Sequence, residues 1–162
     1  MNRPVLYLDF DGVLHPSDVW MIGNQPTLQY PDNPNLTLFC WAPILETILD
    51  DIDPARLINI VLSTTWGQKF GLQKASEYLP GSLKSRVIGK TSHSDRPRGV
   101  QVAQHAKYHI KSQPWLALDD MAQMWPTEHL DKLVQCDPAR GLSCLDTQAK
   151  LKDKLAAMIV ML

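Results

Sequence analysis

Two short acidic clusters are the residues best equipped to do chemistry. Asp9 and Asp11 stand one residue apart in Asp9-Phe10-Asp11-Gly12, directly after the apolar run Val5–Leu8. Asp119-Asp120 follows a second apolar run, 115–118. In open parallel sheets ligands bind beyond the carboxyl ends of the strands, so both clusters stand where sites form. If the two strands are neighbours, up to four carboxyl groups meet in one small volume. Such density of charge is costly without a cation, and hard oxygen donors favour Mg²⁺. A lone Asp-x-Asp often does no more than end a strand and begin a turn; two acidic strand ends point to a site.

Two further residue types suit an anionic ligand. The run 58–62 ends in Ser63-Thr64-Thr65, where a hydroxyl and the following amides can donate to a phosphate oxygen. The competing role for these hydroxyls is to cap the next helix. Arg98, in Asp95-Arg96-Pro97-Arg98, opens a helix that starts on the same side of the sheet. It can balance the carboxylates and hold a phosphoryl oxygen. Lys90 competes for that role, and a solvated surface charge is the alternative for either residue.

The elements that must position these groups are legible as alternation. The runs 5–8, 58–62, 86–88, 115–118 and 132–136 read as strands, three of them almost purely apolar, as strands buried on both faces should be. Between them, 43–52, 68–79 and 99–110 carry apolar residues at helical spacing, with Gly71 interrupting the second. A last helix is expected from Leu145 onward, with Ser143 as its cap. Strands alternating with helices give an α/β fold, a parallel sheet covered on both faces. Residues 17–21 and 26–30 flank Ile22-Gly23-Asn24-Gln25 and read as a hairpin with a Gly-Asn turn; Pro31-Asp32-Asn33-Pro34 returns the chain as a loop. The expectation is one domain over residues 1–162 with a small flap inserted at about 15–40.

Composition narrows the class. The chain has 162 residues, 44% hydrophobic and 20% charged, which fits a globular domain and excludes general disorder. Sixteen basic against seventeen acidic residues, a formal charge of -1, exclude a strong electrostatic argument for nucleic acid or membrane. Cys40, Cys136 and Cys144 are odd in number and lack metal-ligand spacing, so reduced thiols are expected. Only four apolar residues precede Asp9, too few for a signal peptide, and the longest apolar run, 155–162, is far short of a membrane span. A cytoplasmic protein with no membrane partner is the expectation; no protein partner is identifiable. His105 and His109 are spaced as a zinc pair on a helix would be, without a third ligand nearby, so a surface pair is favoured. Trp20, Trp66 and Trp125 are candidates for stacking on a base, set against the usual role of aromatic residues in the core.

The order Asp9-x-Asp11-Gly-Val-Leu, then strand-Ser63, then a basic residue, then strand-Asp119-Asp120 resembles the four motifs of the haloacid dehalogenase (HAD) superfamily. Leu8-Asp-Phe-Asp-Gly-Val-Leu-His-Pro16, Val61-Leu-Ser-Thr-Thr-Trp66, Trp115-Leu-Ala-Leu-Asp-Asp120 and Asp137-Pro-Ala-Arg-Gly-Leu-Ser143 are similar to one branch, the HAD domain of Swiss-army-knife RNA repair proteins. Arg98 stands where the superfamily most often has Lys. The resemblance implies a HAD-like Rossmannoid fold with a five-stranded parallel sheet, helices on both faces and a β-hairpin flap.

It also implies a Mg²⁺-dependent phosphatase working through an aspartyl-phosphate. Asp9 would be the nucleophile, and Asp11 would protonate the leaving oxygen and then activate water. Asp9, the Asp11 backbone carbonyl and Asp119 or Asp120 would hold the metal, while Ser63 and Arg98 would hold the phosphoryl oxygens. An acid at position 11 argues for phosphatase over dehalogenase chemistry. Neither of the two places where this superfamily inserts a large cap has room for one, so an open site is expected, with Trp20, Tyr30 and Trp66 near its rim. That fits a terminal phosphate on a nucleotide or nucleic acid. A small-metabolite phosphatase and a non-catalytic HAD-like binding module are the alternatives; a receiver-like phospho-acceptor would order its aspartates differently.

Overall fold

Each apolar run expected to be a strand finds a place in one sheet, and the chain order decides which strand ends meet. In a computed structural model describing residues 3–29, 32–92 and 94–162, the elements run as follows. Strand β1 (Val5–Leu8) leads to a separate hairpin, β2 (Val19–Ile22) and β3 (Gln25–Leu28). Helix α1 (Ala42–Ile52) and β4 (Asn59–Leu62) follow, then α2 (Thr65–Phe70), α3 (Leu72–Glu77), α4 (Gly81–Lys84) and β5 (Val87–Lys90). The chain ends with α5 (Arg98–His105), β6 (Trp115–Asp119), β7 (Leu133–Gln135) and α6 (Leu145–Val160).

The sheet is parallel in the order β5-β4-β1-β6-β7. The chain builds outward from β1 through β4 to β5, then returns to β6 on the other side of β1. The strand order therefore reverses between β1 and β6, the switch point at which open α/β sheets bind ligands. Leu8 pairs with Leu62 on one side and Leu118 on the other, so the three strands end level. The ladder continues one residue further: the Asp9 amide donates to the Leu118 carbonyl (3.1 Å) and the Ser63 amide to the Leu8 carbonyl (3.0 Å).

Both faces of the sheet are covered, which explains the unbroken apolar runs. Leu6, Leu8, Ile60, Leu62, Leu116 and Leu118 pack with residues of α1 and α6, including Leu45, Leu49, Leu151 and Leu155. Val5, Tyr7, Val61 and Ala117 point the other way, onto Val102 of α5 and Ala106 and Ile110 beyond it. Burying a leucine or valine in this way contributes about 1.5–3 kcal/mol per side chain.

Several boundaries depart from expectation. The helix expected over 68–79 is two, broken at Gly71 (φ +82°), a backbone geometry that stops α2 and restarts the chain as α3. The strand expected over 86–88 is Val87–Lys90, because Arg86 is drawn into a buried ion pair with Asp53 (Nη1 to Oδ2, 2.6 Å). The helix expected over 99–110 becomes a wider π-helix from Ala106 to Ile110, ending at Lys111 (φ +53°). Cys144, not Ser143, sits at the start of α6; Ser143 lies in a 3₁₀ turn and donates to the Arg140 carbonyl. Ile22 pairs with Gln25, so the hairpin turn is the two residues Gly23-Asn24 and each strand runs one residue closer to the turn than the expected 17–21 and 26–30. Tyr30 and Pro31, part of the expected flap and its return, lie outside the described residues. Cys40, Cys136 and Cys144 are free thiols. Among the described residues no helix is long and apolar enough to cross a membrane.

Candidate active site

The carboxyl ends of β1 and β6 deliver the acidic clusters to one place. Asp9, Asp119 and Asp120 each bring a carboxylate oxygen within 4.8 Å of the others. Asp9 and Asp119 are almost wholly buried. The turn after β1 makes room for them: Gly12 has φ +72°, and a Cβ there would come within 2.6 Å of the Asp120 carboxyl carbon. A side chain at position 12 would be strained and would displace Asp120.

The cluster's electrostatics are those of crowded, dehydrated acids. Burial pushes Asp119 up to about 8, with the Asp9 charge adding to the effect and Arg98 opposing it. Burial raises Asp120 to about 7, assisted by the charge of Asp9 and a hydrogen bond with it. Among the described residues one cation answers them. Arg98 Nη1 lies 3.1 Å from Asp9 Oδ1 and 3.1 Å from Asp119 Oδ2. Burial works against the guanidinium's charge, but the fields of Asp9 and Asp119 outweigh it and raise its pKa. Pro97 ends the loop before α5 and Arg98 is the helix's first residue, which aims it at the strand ends. Lys90, the competing candidate, instead lies along Gly67 of α2.

Ser63 is buried at the end of β4, level with Asp9. Its neighbour Thr64 takes the capping role: its hydroxyl accepts from the Trp66 amide (3.3 Å) at the start of α2.

Asp11 is placed differently from the other three. Its Oδ1 accepts from His15 Nε2 (2.8 Å) and from Trp66 Nε1 (2.9 Å). His15 is completely buried, and its Nδ1 accepts the Phe39 amide (3.1 Å). Sequence reasoning did not assign His15 a role. The available signal was an imidazole four residues past a candidate acid; nothing in the sequence tied it to Phe39.

The sequence model of the family described as HAD domain in Swiss Army Knife RNA repair proteins matches residues 5–146, a span holding every strand and all the residues above. The chain belongs to this family. No curated protein and no solved structure matches it significantly.

In this HAD domain the donor set fits the divalent cation the family implies. Three carboxylates face one guanidinium, two of them raised by burial and by the charge of Asp9, and all offer hard oxygens. Asp9, Asp119 and Asp120 would hold Mg²⁺. It is the only group of three or more potential metal ligands among the described residues. His105 and His109 stack on each other (4.6 Å between centroids), and His105 Nδ1 meets the buried Tyr7 hydroxyl (2.8 Å).

Two of the three candidate stacking tryptophans have no face to offer. Trp66 is buried among Phe10, Phe39, Phe70 and Tyr78, and Trp125 is buried with its Nε1 donated to the His129 carbonyl. Both are drawn in because a large ring gains more from core contact than from exposure. Trp20, on the hairpin, is 62% exposed.

Proposed function

We propose that this HAD domain hydrolyses phosphate monoesters through an aspartyl-phosphate on Asp9, with terminal phosphates of nucleotides or nucleic acids as its substrates. The observation carrying this reading is the Asp9 carboxylate itself. It is buried at the switch point, its Oδ1 is oriented by Arg98, and Asp119 and Asp120 stand beside it.

In the reaction Asp9 attacks phosphorus, the bond to the leaving oxygen breaks, and Asp11 gives that oxygen a proton. Asp11, now a carboxylate, takes a proton from water as the water attacks the phosphoenzyme. Phosphate leaves and Asp9 is regenerated. Arg98 and the Ser63 hydroxyl hold the equatorial oxygens, where charge spreads in the transition state. Mg²⁺ bound by Asp9, Asp119, Asp120 and the Asp11 backbone carbonyl would supply the positive charge that lets an anionic nucleophile meet an anionic ester.

The substrate class rests on the family's connection with RNA repair and on the small size of the segments inserted between the sheet's elements. Among the described residues the segment between β1 and α1 contributes only a two-stranded hairpin of four-residue strands, and α2 to α4 are short helices of the fold. A large phosphorylated end can enter such a site.

Turnover of para-nitrophenyl phosphate with Mg²⁺ and with EDTA tests the chemistry. A comparison of kcat/KM for a 3′- or 5′-phosphorylated oligoribonucleotide against sugar phosphates, at matched ionic strength, tests the substrate. Preference for sugar phosphates would remove the nucleic-acid reading and leave the chemistry.

A further inference from the structure

The contacts on Asp11 are more specific than a turn requires. Both of its donors converge on one oxygen, Oδ1, while among the described residues none is hydrogen-bonded to Oδ2. The first donor has a fixed proton. His15 Nδ1 accepts a backbone N–H from Phe39, so the ring's hydrogen sits on Nε2 and is donated to Asp11. The ring is fully buried, and it presents an N–H rather than a lone pair to Asp11. The second donor, the Trp66 indole, has no other protonation state at all.

The surroundings lock both donors. His15 lies edge-on to Phe39 (4.7 Å between centroids) and close to Trp66 (5.6 Å), and Trp66 meets Tyr78 edge-on (4.9 Å). Phe39 holds its amide on His15 with φ +59°, a backbone conformation uncommon for a bulky residue and one that accumulates where structure serves function. Two separate parts of the chain, the turn after β1 and the first turn of α2, thus meet at one carboxylate oxygen, and the segment leading into α1 holds His15 in place.

We propose that His15 and Trp66 are positioning residues that hold Asp11 Oδ1 as a permanent acceptor and so make Oδ2 the oxygen that gives and takes the proton. The inference rests on the reading of Asp11 as the acid and base of a phosphatase. With both N–H groups on Oδ1, a protonated Asp11 carries its hydrogen on Oδ2, and the carboxyl group cannot rotate to exchange the two oxygens without losing both bonds. Holding a proton donor to a narrow range of positions is what turns a nearby acid into an effective one.

The experiment measures kcat/KM, which reports formation of the phosphoenzyme, for an alkyl ester (ribose 5-phosphate) and for para-nitrophenyl phosphate. The enzymes compared are wild type, His15→Phe, Trp66→Phe and His15→Gln. An alkyl leaving group needs the acid and an aryl oxide hardly does. Loss of either donor is expected to lower the alkyl ester roughly 10- to 100-fold, a part of the roughly 10²–10⁴ that general acid catalysis supplies, and the aryl ester less than about threefold. His15→Gln, whose amide nitrogen reaches the place of Nε2, should recover most of the alkyl activity. Trp66→Phe keeps His15 and most of the aromatic packing, so it carries the test if His15→Phe does not fold. Equal losses on both esters, or no rescue by Gln, would overturn the positioning role while leaving the phosphatase reading intact. A wild-type protein inert toward both esters would overturn that reading and this role with it.

Discussion

A single nitrogen of Arg98 stands 3.1 Å from Asp9 Oδ1, and the same Nη1 is 3.1 Å from Asp119 Oδ2. The guanidinium bridges the residue that follows β1 and the last residue of the adjacent strand β6. Arg98→Met removes the cation paired with both acids. Breaking a buried pair costs on the order of 3 kcal/mol, because it leaves charge without a partner. Denaturant unfolding in EDTA should show a loss of that order, and Mg²⁺ should restore part of it by taking the cation's place. Arg98→Lys should retain much of the stability, since it keeps the charge while losing the guanidinium's fork geometry.

Asp9→Asn should abolish turnover and leave the fold intact. The amide is nearly the size of the carboxylate but is a poor nucleophile. It also removes a charge that raises both Asp119 and Asp120. The variant's unfolding midpoint in EDTA should at least equal wild type. Residual activity near wild type would take the nucleophile's role from Asp9.

The metal-free protein should lose stability as pH rises from 6.5 to 8. Asp119, raised to about 8, and Asp120, raised to about 7, keep protons in the folded state that the unfolded chain has already released. The folded state binds more protons across that window, so stability falls with rising pH. His105, lowered to about 4 by burial and by His109, acts in the opposite direction, but only between about 4 and its ordinary 6.5. Mg²⁺ competes with those protons, so the melting-temperature gain it gives should be larger at pH 8 than at pH 6.5. Thermal scans in EDTA and in Mg²⁺ at the two pH values check both signs.

Gly12→Ala should damage the site more than the fold. The new methyl group would need the space of the Asp120 carboxylate, on a backbone already at φ +72°. Isothermal titration should show weaker Mg²⁺ binding than wild type. Unchanged affinity would mean that Asp120 is not needed for the metal.

What the sequence revealed best was whatever a single strand carries on its own. Asp9, Ser63 and Asp119 were legible because each follows an apolar run, and parallel strands of similar length end level. The choice between Arg98 and Lys90 was not, because it depends on where α5 begins relative to β6. His15 was hidden for a related reason: its neighbours are Phe39 and Trp66, which lie far along the chain. Trp66 was expected at the rim because it follows Ser63-Thr64-Thr65. Its indole turns inward, where a ring can be buried and still donate its N–H. Gly71 was visible as an interruption, but a break in a pattern does not say whether a helix bends or starts again.

The Trp66 indole has a consequence for observation as well as for chemistry. The chain has five tryptophans, and this one is buried with its Nε1 hydrogen on the Asp11 carboxylate. The nitrogen-bound hydrogen of an indole gives a separate resonance whose frequency follows the strength of the bond it makes. A change in the charge or orientation of Asp11 is therefore written into a signal the protein already carries. The state of Asp11 can be followed as substrates and metal are added, without attaching a label.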